Sequence, residues 1–570
     1  MATLPVRDLG KLGIISDANP YDLPINAYSD GCNVIFDEGK VQRAPVFKKL
    51  FSAFKSELAY SADSDTFAGA IGTYENTLAS AGISRFVASY NTTQEVVLVC
   101  DTDGSVREYP NGQMSIVTPT SGTPVTNTEP WAHAQAAGLS VLSRKAMRPY
   151  IRNLKTDPRY VAMANDWGAT DTCSVIRGYL DFLIALNVNK AGVDYPTMVK
   201  WTNPLQYSPS VSSTTGVVWD ASSTTTVAGE NILGDMRTPI IDGLPLHNTF
   251  IIYSSDQVWA MEYTGSSFVF NFKRIFPTGG IVNVNCVTEV EGKHFVFGVD
   301  DLYMHDGVQK QSVADERVRR KIYQSIDRNN LNKCFVQHDS ILNLIYFAYI
   351  ATDSDIGFQG TSFCNRAAVY NYRNNTWSFM DLPNVAGAAE TNLDLSTSYY
   401  ESFIATYNDF NNIYSGFENT TPRVCVMLGI SDQANNLTDS RVYAVDLPSI
   451  GLVPLPVEPE TIKQSFVERI GIDLDKEAQL PLRSYKVIKA IMPQVDIAGT
   501  SSFMTFQLGG SDNPNQPVNW QTPVVFDHRN DYKVDTRASG RYLAMRVTFP
   551  DTEFFRWSAY DIEIAKTGGR

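Results

Sequence analysis

Thr249-Phe-Ile-Ile-Tyr-Ser254, Val258-Trp-Ala-Met-Glu-Tyr263 and Phe268-Val-Phe-Asn-Phe-Lys273 follow one another with only Ser255-Asp-Gln257 and Thr264-Gly-Ser-Ser267 between them. Each run is rich in β-branched and aromatic residues, and each break carries turn chemistry, so the stretch reads as three short antiparallel strands. Beyond Gly279-Gly280 the same grain returns at 282–290, 294–298 and 302–305, closed by Asp306-Gly307. A strand meander of this size is one blade of a β-propeller.

The grain extends both ways. Upstream, strands are expected at 84–91, 95–100, 106–109 and 114–117, with the tight turn Asp101-Thr-Asp-Gly-Ser105 and Asn111-Gly112 between them. Downstream, 342–350 and the unit Ala367-Ala-Val-Tyr-Asn-Tyr-Arg-Asn-Asn-Thr-Trp-Ser378 read as strand, Asn-Asn turn and strand. Blades of about 40–50 residues would fit some six to eight times into residues 51–450. Two Ser/Thr/Pro-rich tracts, 118–130 and 208–227, read as long loops of the kind that meet partners. One helix is expected from Asp315 as its N-cap, with Val318, Ile322 and Ile326 on one face and Arg317, Arg319, Arg320 and Lys321 around them. A solvated face, a subunit contact and a phosphate contact are all open to those cations.

Residues 451–570 change character. Apolar or alternating runs at 464–474, 486–495, 502–508, 524–527, 542–548 and 557–564 suggest an antiparallel sandwich. Residues 1–50 contain a hairpin around Glu38-Gly39 that would complete it. The expected fold class is therefore all-β: a multi-bladed β-propeller with a β-rich, sandwich-like platform built from the N- and C-terminal segments. Trp377 and Trp557 are its expected core anchors.

Composition agrees with a large folded chain. Of 570 residues 43% are hydrophobic and 19% charged, with 29 Phe, 28 Tyr and 8 Trp, which excludes a disordered protein. Forty-seven basic against 61 acidic residues leave a net charge of −14. That balance lacks the cationic footprint of a phosphate-backbone binder. Met1 to Gly10 has no apolar signal core, and no run approaches about 18 uninterrupted apolar residues, so neither export nor membrane insertion is expected.

Signals for chemistry are poor. Cys32, Cys100, Cys173, Cys286, Cys334, Cys364 and Cys425 are scattered without a Cys-x-x-Cys pair, the pattern of buried reduced thiols. His294 and His305 flank one strand pair, where ordinary packing outweighs an acid-base or metal role. The 101–105 segment lacks the later ligands of a calcium loop. Asp300 and Asp301 are adjacent, and neighbours on a strand face opposite ways, so they would not converge on one sugar. The sequence nominates no catalytic, cofactor-binding or metal-ligating residue, and no enzyme is expected.

Four segments carry a further likeness: Asp30-Gly-Cys-Asn-Val-Ile-Phe-Asp-Glu-Gly-Lys-Val-Gln-Arg43; Ile176-Arg-Gly-Tyr-Leu-Asp-Phe-Leu-Ile-Ala-Leu-Asn187 with Val199-Lys-Trp-Thr202; His294-Phe-Val-Phe-Gly-Val-Asp-Asp-Leu-Tyr-Met-His-Asp-Gly307; and Ser539-Gly-Arg-Tyr-Leu-Ala-Met-Arg546 with Trp557-Ser-Ala-Tyr-Asp561. In this order they resemble the nozzle (tail tubular protein B) family of short-tailed bacteriophages. The resemblance implies a virion structural protein, assembled in the host cytoplasm. Six copies would form a homohexameric ring, the distal tail tube, below the portal and adaptor rings. Tail fibres or spikes would attach to it, and phage DNA would pass its lumen without specific binding. The family has no catalytic residues to carry over. A stopper that plugs DNA is a variant of this reading; a host-surface carbohydrate-binding or depolymerising propeller protein is the rival class. The acidic balance implies a neutral to acidic lumen, with Arg317, Arg319 and Arg320 at subunit contacts or outer faces.

Overall fold

The computed structural model describes residues 2–52, 83–90, 95–101, 104–109, 115–119, 127, 129–153, 157–164, 166–205, 217–266, 268–353, 363–392, 423–430, 440–446, 464–498, 503–513, 516–550 and 554–567. Five four-stranded antiparallel sheets succeed one another along the chain. Blade one is Ile83–Tyr90, Glu95–Asp101, Val106–Tyr109 and Ser115–Ile116. Blade two is Ala132–Ala136, Leu139–Ser143, Tyr150–Asn153 and Val161–Ala162, and blade three Thr172–Tyr179, Phe182–Lys190, Val193–Trp201 and Gly229–Ile232. Blade four is Ile240–Leu246, Thr249–Ser254, Val258–Tyr263 and Phe270–Phe276; blade five is Val287–Val290, Lys293–Phe297, Leu302–His305 and Lys310–Ser312. The first strands of blades two to six lie against one another in turn, and blade six meets blade one.

Blade six departs from the plan. Its strands Phe335–Asp339, Leu344–Tyr349 and Cys364–Asn371 pair with a 17-residue strand, Thr376–Asn392. That strand bends at Pro383-Asn384, where Asn384 takes φ +53, and its far half pairs with Arg423–Ile430. Ser440–Val445 and then Phe47–Ser52 extend the sheet to seven strands.

The chain is all-β, a propeller with a platform built from both of its end segments. One platform sheet joins Val34–Asp37, Lys40–Arg43, Phe555–Lys566, Lys486–Ile497 and Val534–Gly540, with Ala2–Val6 also on Phe555–Lys566. The other joins Asp30–Cys32, Phe466–Ile472, Tyr542–Thr548 and Met504–Ser511, the last pairing with Asn519–Trp520 and Val524–Phe526. The hairpin at Glu38-Gly39 turns with both residues at positive φ, +46 and +73, as a two-residue type I′ loop requires. It sets Val41 opposite Trp557, so the two ends of the sequence share one ladder. Trp557 is fully buried among Phe506, Phe549 and Tyr560.

The helix is shorter than expected and capped otherwise. It runs Arg319–Ser325, with Val318, Ile322 and Ile326 buried as the spacing requires. Asp315 does not cap it. The carboxylate of Asp17, 303 residues away in sequence, accepts the amides of Arg320 (2.7 Å) and Lys321 (3.3 Å). A carboxylate there also meets the positive end of the helix.

Trp377 is where propeller and platform lock. Its indole N–H donates to the Val313 carbonyl (2.9 Å), its ring packs on Tyr370 and Phe347, and its carbonyl accepts the Ile14 amide. Gly13, at φ +70, passes so close that a Cβ would stand 2.9 Å from the Trp377 carbonyl oxygen. Trp377→Ala should therefore cost about 3–5 kcal/mol, and Trp377→Phe about 1 kcal/mol for the lost hydrogen bond. Thermal unfolding of the two variants checks the order; equal midpoints to wild type would refute the anchor.

Candidate functional site

The first strands of the blades carry a buried polar cluster. Arg177, on Thr172–Tyr179, grips Asp242 of blade four with both arms of its guanidinium, Nε to Oδ1 at 2.9 Å and Nη2 to Oδ2 at 2.7 Å. It also donates to the His133 carbonyl of blade two (3.0 Å) and to Asn285 Oδ1 (3.0 Å). Asn285, held at φ +65, returns an amide bond to Asp242 and donates its side-chain amide to the Trp131 carbonyl. Its own carbonyl accepts Val336 N–H of blade six. Side chains and backbone of blades two, three, four and six thus meet through Asn285, just ahead of blade five. Asp242 is wholly buried.

Arg177 lies inside a segment singled out by its resemblance, yet nothing in the sequence pointed to Asp242 or Asn285. The available signal was a lone charged residue in an otherwise uncharged strand. Removing one partner of a buried pair leaves a stranded charge, so Asp242→Asn is expected to cost about 3–5 kcal/mol. A denaturant titration reads it.

The histidines meet as packing predicted, and more tightly. His294 and His305 are cross-strand partners, and Tyr253 Oη stands 2.6 Å from His294 Nδ1 and 2.6 Å from His305 Nε2. His294 Nε2 must donate to the Pro245 carbonyl (2.9 Å), so its Nδ1 accepts from Tyr253. Tyr253 then accepts from His305 Nε2–H, and His305 Nδ1 accepts the Gly307 amide (3.2 Å). One proton arrangement satisfies every site, and it needs both rings neutral. Burial pushes His294 down to about 4, and burial with the neighbouring His294 pushes His305 to about 3.

The unfolded histidines, near 6.5, therefore take up protons before the folded ones do. Their contribution to stability is complete above pH 6.5 and is lost as pH falls toward 4 and then 3. The unfolding midpoint is expected to drop across pH 6.5–4 in wild type. Replacing both histidines should flatten that part of the profile, and an unchanged slope would refute the assignment.

Asp300 and Asp301 sit in the turn between Lys293–Phe297 and Leu302–His305, not on a strand. Asp301 accepts from Ser312 (2.9 Å) and is raised by burial, while the Asp300 carbonyl accepts Arg319 Nε (2.8 Å). All seven cysteines are free thiols, and burial raises those with a resolved shift. Among the described residues no group of three or more His, Cys, Asp or Glu could hold a metal ion, and no helix is long and apolar enough to cross a membrane. Residues 102–103 of the 101–105 turn, most of 118–130 and residues 208–216 of the second loop lie outside the described residues.

The cations of the connector between blades five and six divide. Arg317 donates to the Asn375 carbonyl, Arg319 pairs with Asp315, and Lys321 with Asp30 of the platform. Arg320 and Arg328 make no side-chain hydrogen bond or ion pair within the described residues.

No protein-family model and no curated protein matches the sequence. Solved structures similar in part include the following two. BBS1N in complex with ARL6DN is 10% identical over 73% of this chain and 99% of that one, with a TM-score of 0.34. The extracellular domain of a one component system from B. thetaiotaomicron is 13% identical over 58% of this chain and 38% of that one, with a TM-score of 0.29. Likeness this loose bears on neither activity nor partner.

Proposed function

We propose that the chain is a virion structural protein, the nozzle subunit of a short-tailed phage. Six copies form the distal tail tube under the portal-adaptor ring, and fibres or spikes attach outside. The observation that carries the reading is the ordered set of four segments between residues 30 and 561. Its support in the fold is that the first and last of them lie in one platform, with Val41 paired to Trp557. Arg177, Asp242 and Asn285 occupy the centre of the inner strands. A duplex passage then runs between subunits, not along the axis of one propeller. Six copies at −14 carry about −84, so the wall repels DNA, and the repulsion reaches only about a Debye length, roughly 8 Å.

Electron microscopy of isolated tails, and of the purified chain with the adaptor ring, is expected to give a six-fold ring. A single copy or a dimer in the tail would overturn the proposal, as would salt-sensitive duplex binding by the ring at physiological salt for its lumen. Release of reducing sugars from host polysaccharide, abolished by changing one carboxylate, would favour the rival class.

A further inference from the structure

Charge is distributed unevenly round the propeller. The connector between blades five and six, residues 315–333, holds six basic against three acidic side chains. Blades three and four, residues 166–276, hold ten acidic against six basic ones. Blades follow one another in sequence order, so the connector and blade three lie on nearly opposite sides of the ring of blades.

The side chains left unpaired sharpen the contrast. On the connector these are Arg320 and Arg328 with one carboxylate, Glu316, all exposed. On the far side they are Asp166, ahead of blade three, Asp181, in its first turn, and Asp235, just beyond its last strand, with one cation, Arg274, all exposed as well. None of these side chains has a hydrogen bond or ion pair within the described residues, so the free charge is net positive on the connector and net negative opposite.

Apolar surface follows the same division. Arg328, Arg319 and Asp300 flank a cavity of about 390 Å³ floored by Val282, Ile326, Leu331 and Tyr323. The outer edge of blade three exposes Ile232, three residues before Asp235, and Val193 at the far end of the neighbouring strand, 50% and 53% accessible. That edge is also incomplete among the described residues: Gly229–Ile232 pairs with residues 198–201 of Val193–Trp201 and the Leu233 amide donates to the Thr197 carbonyl, leaving 193–196 without a described strand on that side. Pro196 within this stretch cannot donate to an added strand, so side chains and not a shared ladder would make the contact.

We infer that the connector of one copy docks on the outer edge of blade three of the next copy. The guanidinium of Arg328 meets Asp235, and an exposed aliphatic side chain of blade three enters the cavity beside it. The occupant is a second copy of this chain, because one surface supplies both the charge and the apolar shape that the other lacks. The two faces differ, so the contact is head-to-tail and must close into a ring or grow into a filament. This inference rests on the ring reading above and names its subunit contact.

The test is sedimentation velocity with negative-stain microscopy on the full chain, alone and with the adaptor ring, at low and physiological salt. Wild type is expected to associate, more weakly as salt rises. Arg328→Glu and Asp235→Arg, both on the surface, are each expected to weaken association at least tenfold. Mixing the two variants restores it, since each reversed face then meets its reversed complement. Association that ignores both reversals overturns the contact and leaves the ring standing. Loss in the single variants without recovery on mixing overturns the pairing of these two faces. Wild type that associates under none of these conditions overturns the ring and the contact with it.

Discussion

The propeller depends on the bidentate bond between Arg177 and Asp242. Four-stranded sheets are held within themselves by their ladders, but nothing in a ladder fixes one blade against the next. Apolar packing between blades supplies attraction without direction. The guanidinium supplies direction: its donors lie in a fixed plane, and they are met by blades two and four and by Asn285. Asn285 completes the frame because its left-handed backbone turns both amides toward blades two and four. A buried pair of this kind adds little to stability over apolar residues of equal volume, yet it penalises every arrangement in which a partner is displaced. Its role here is to set the order and angle of the blades.

The second constraint is the return of the chain ends to one place. Residues 13–37 do most of the stitching. Ser16 and Asp17 bond to Arg317, Asp17 caps the helix, Asp30 meets Lys321, and Asn33 bonds to Phe379 and Asp381. Among the described residues the platform's C-terminal strands pair with residues 2–6, 30–32 and 41–42 of the N-terminal segment and with one another, and not with the blades. The N-terminal segment is therefore the layer through which the platform is oriented on the propeller, and the helix is its landing point.

What could be read from the sequence follows the range of each interaction. Hairpins were legible, because alternation and turn residues act over a few positions: 249–276, the Glu38-Gly39 turn and the Asn374-Asn375 turn all fold as read. Val534–Gly540 escaped notice because Val-Asp-Thr-Arg-Ala-Ser-Gly has weak strand propensity; it is a strand since its alternate residues are buried against the sandwich. The helix was legible by its apolar spacing, its cap was not, since Asp17 is supplied by tertiary structure. The Arg177 cluster was equally hidden. Its partners lie 65 and 108 residues from Arg177, and no local pattern specifies a contact at that separation.

The placement of charge bears on what a ring could do. Intrachain pairs cancel, so they leave the net −14 on the surface unchanged. The connector carries a surplus of +3, which means the remainder of the chain stands at about −17. A contact that covers the connector takes that surplus of +3 out of solvent together with the carboxylates it meets. Subunits of like net charge repel at long range, but over roughly 8 Å that repulsion is screened while opposed patches in contact are not. Association would then require close approach in one orientation. That is the condition under which an acidic protein can form an ordered ring and still present to DNA a wall with no reason to hold it.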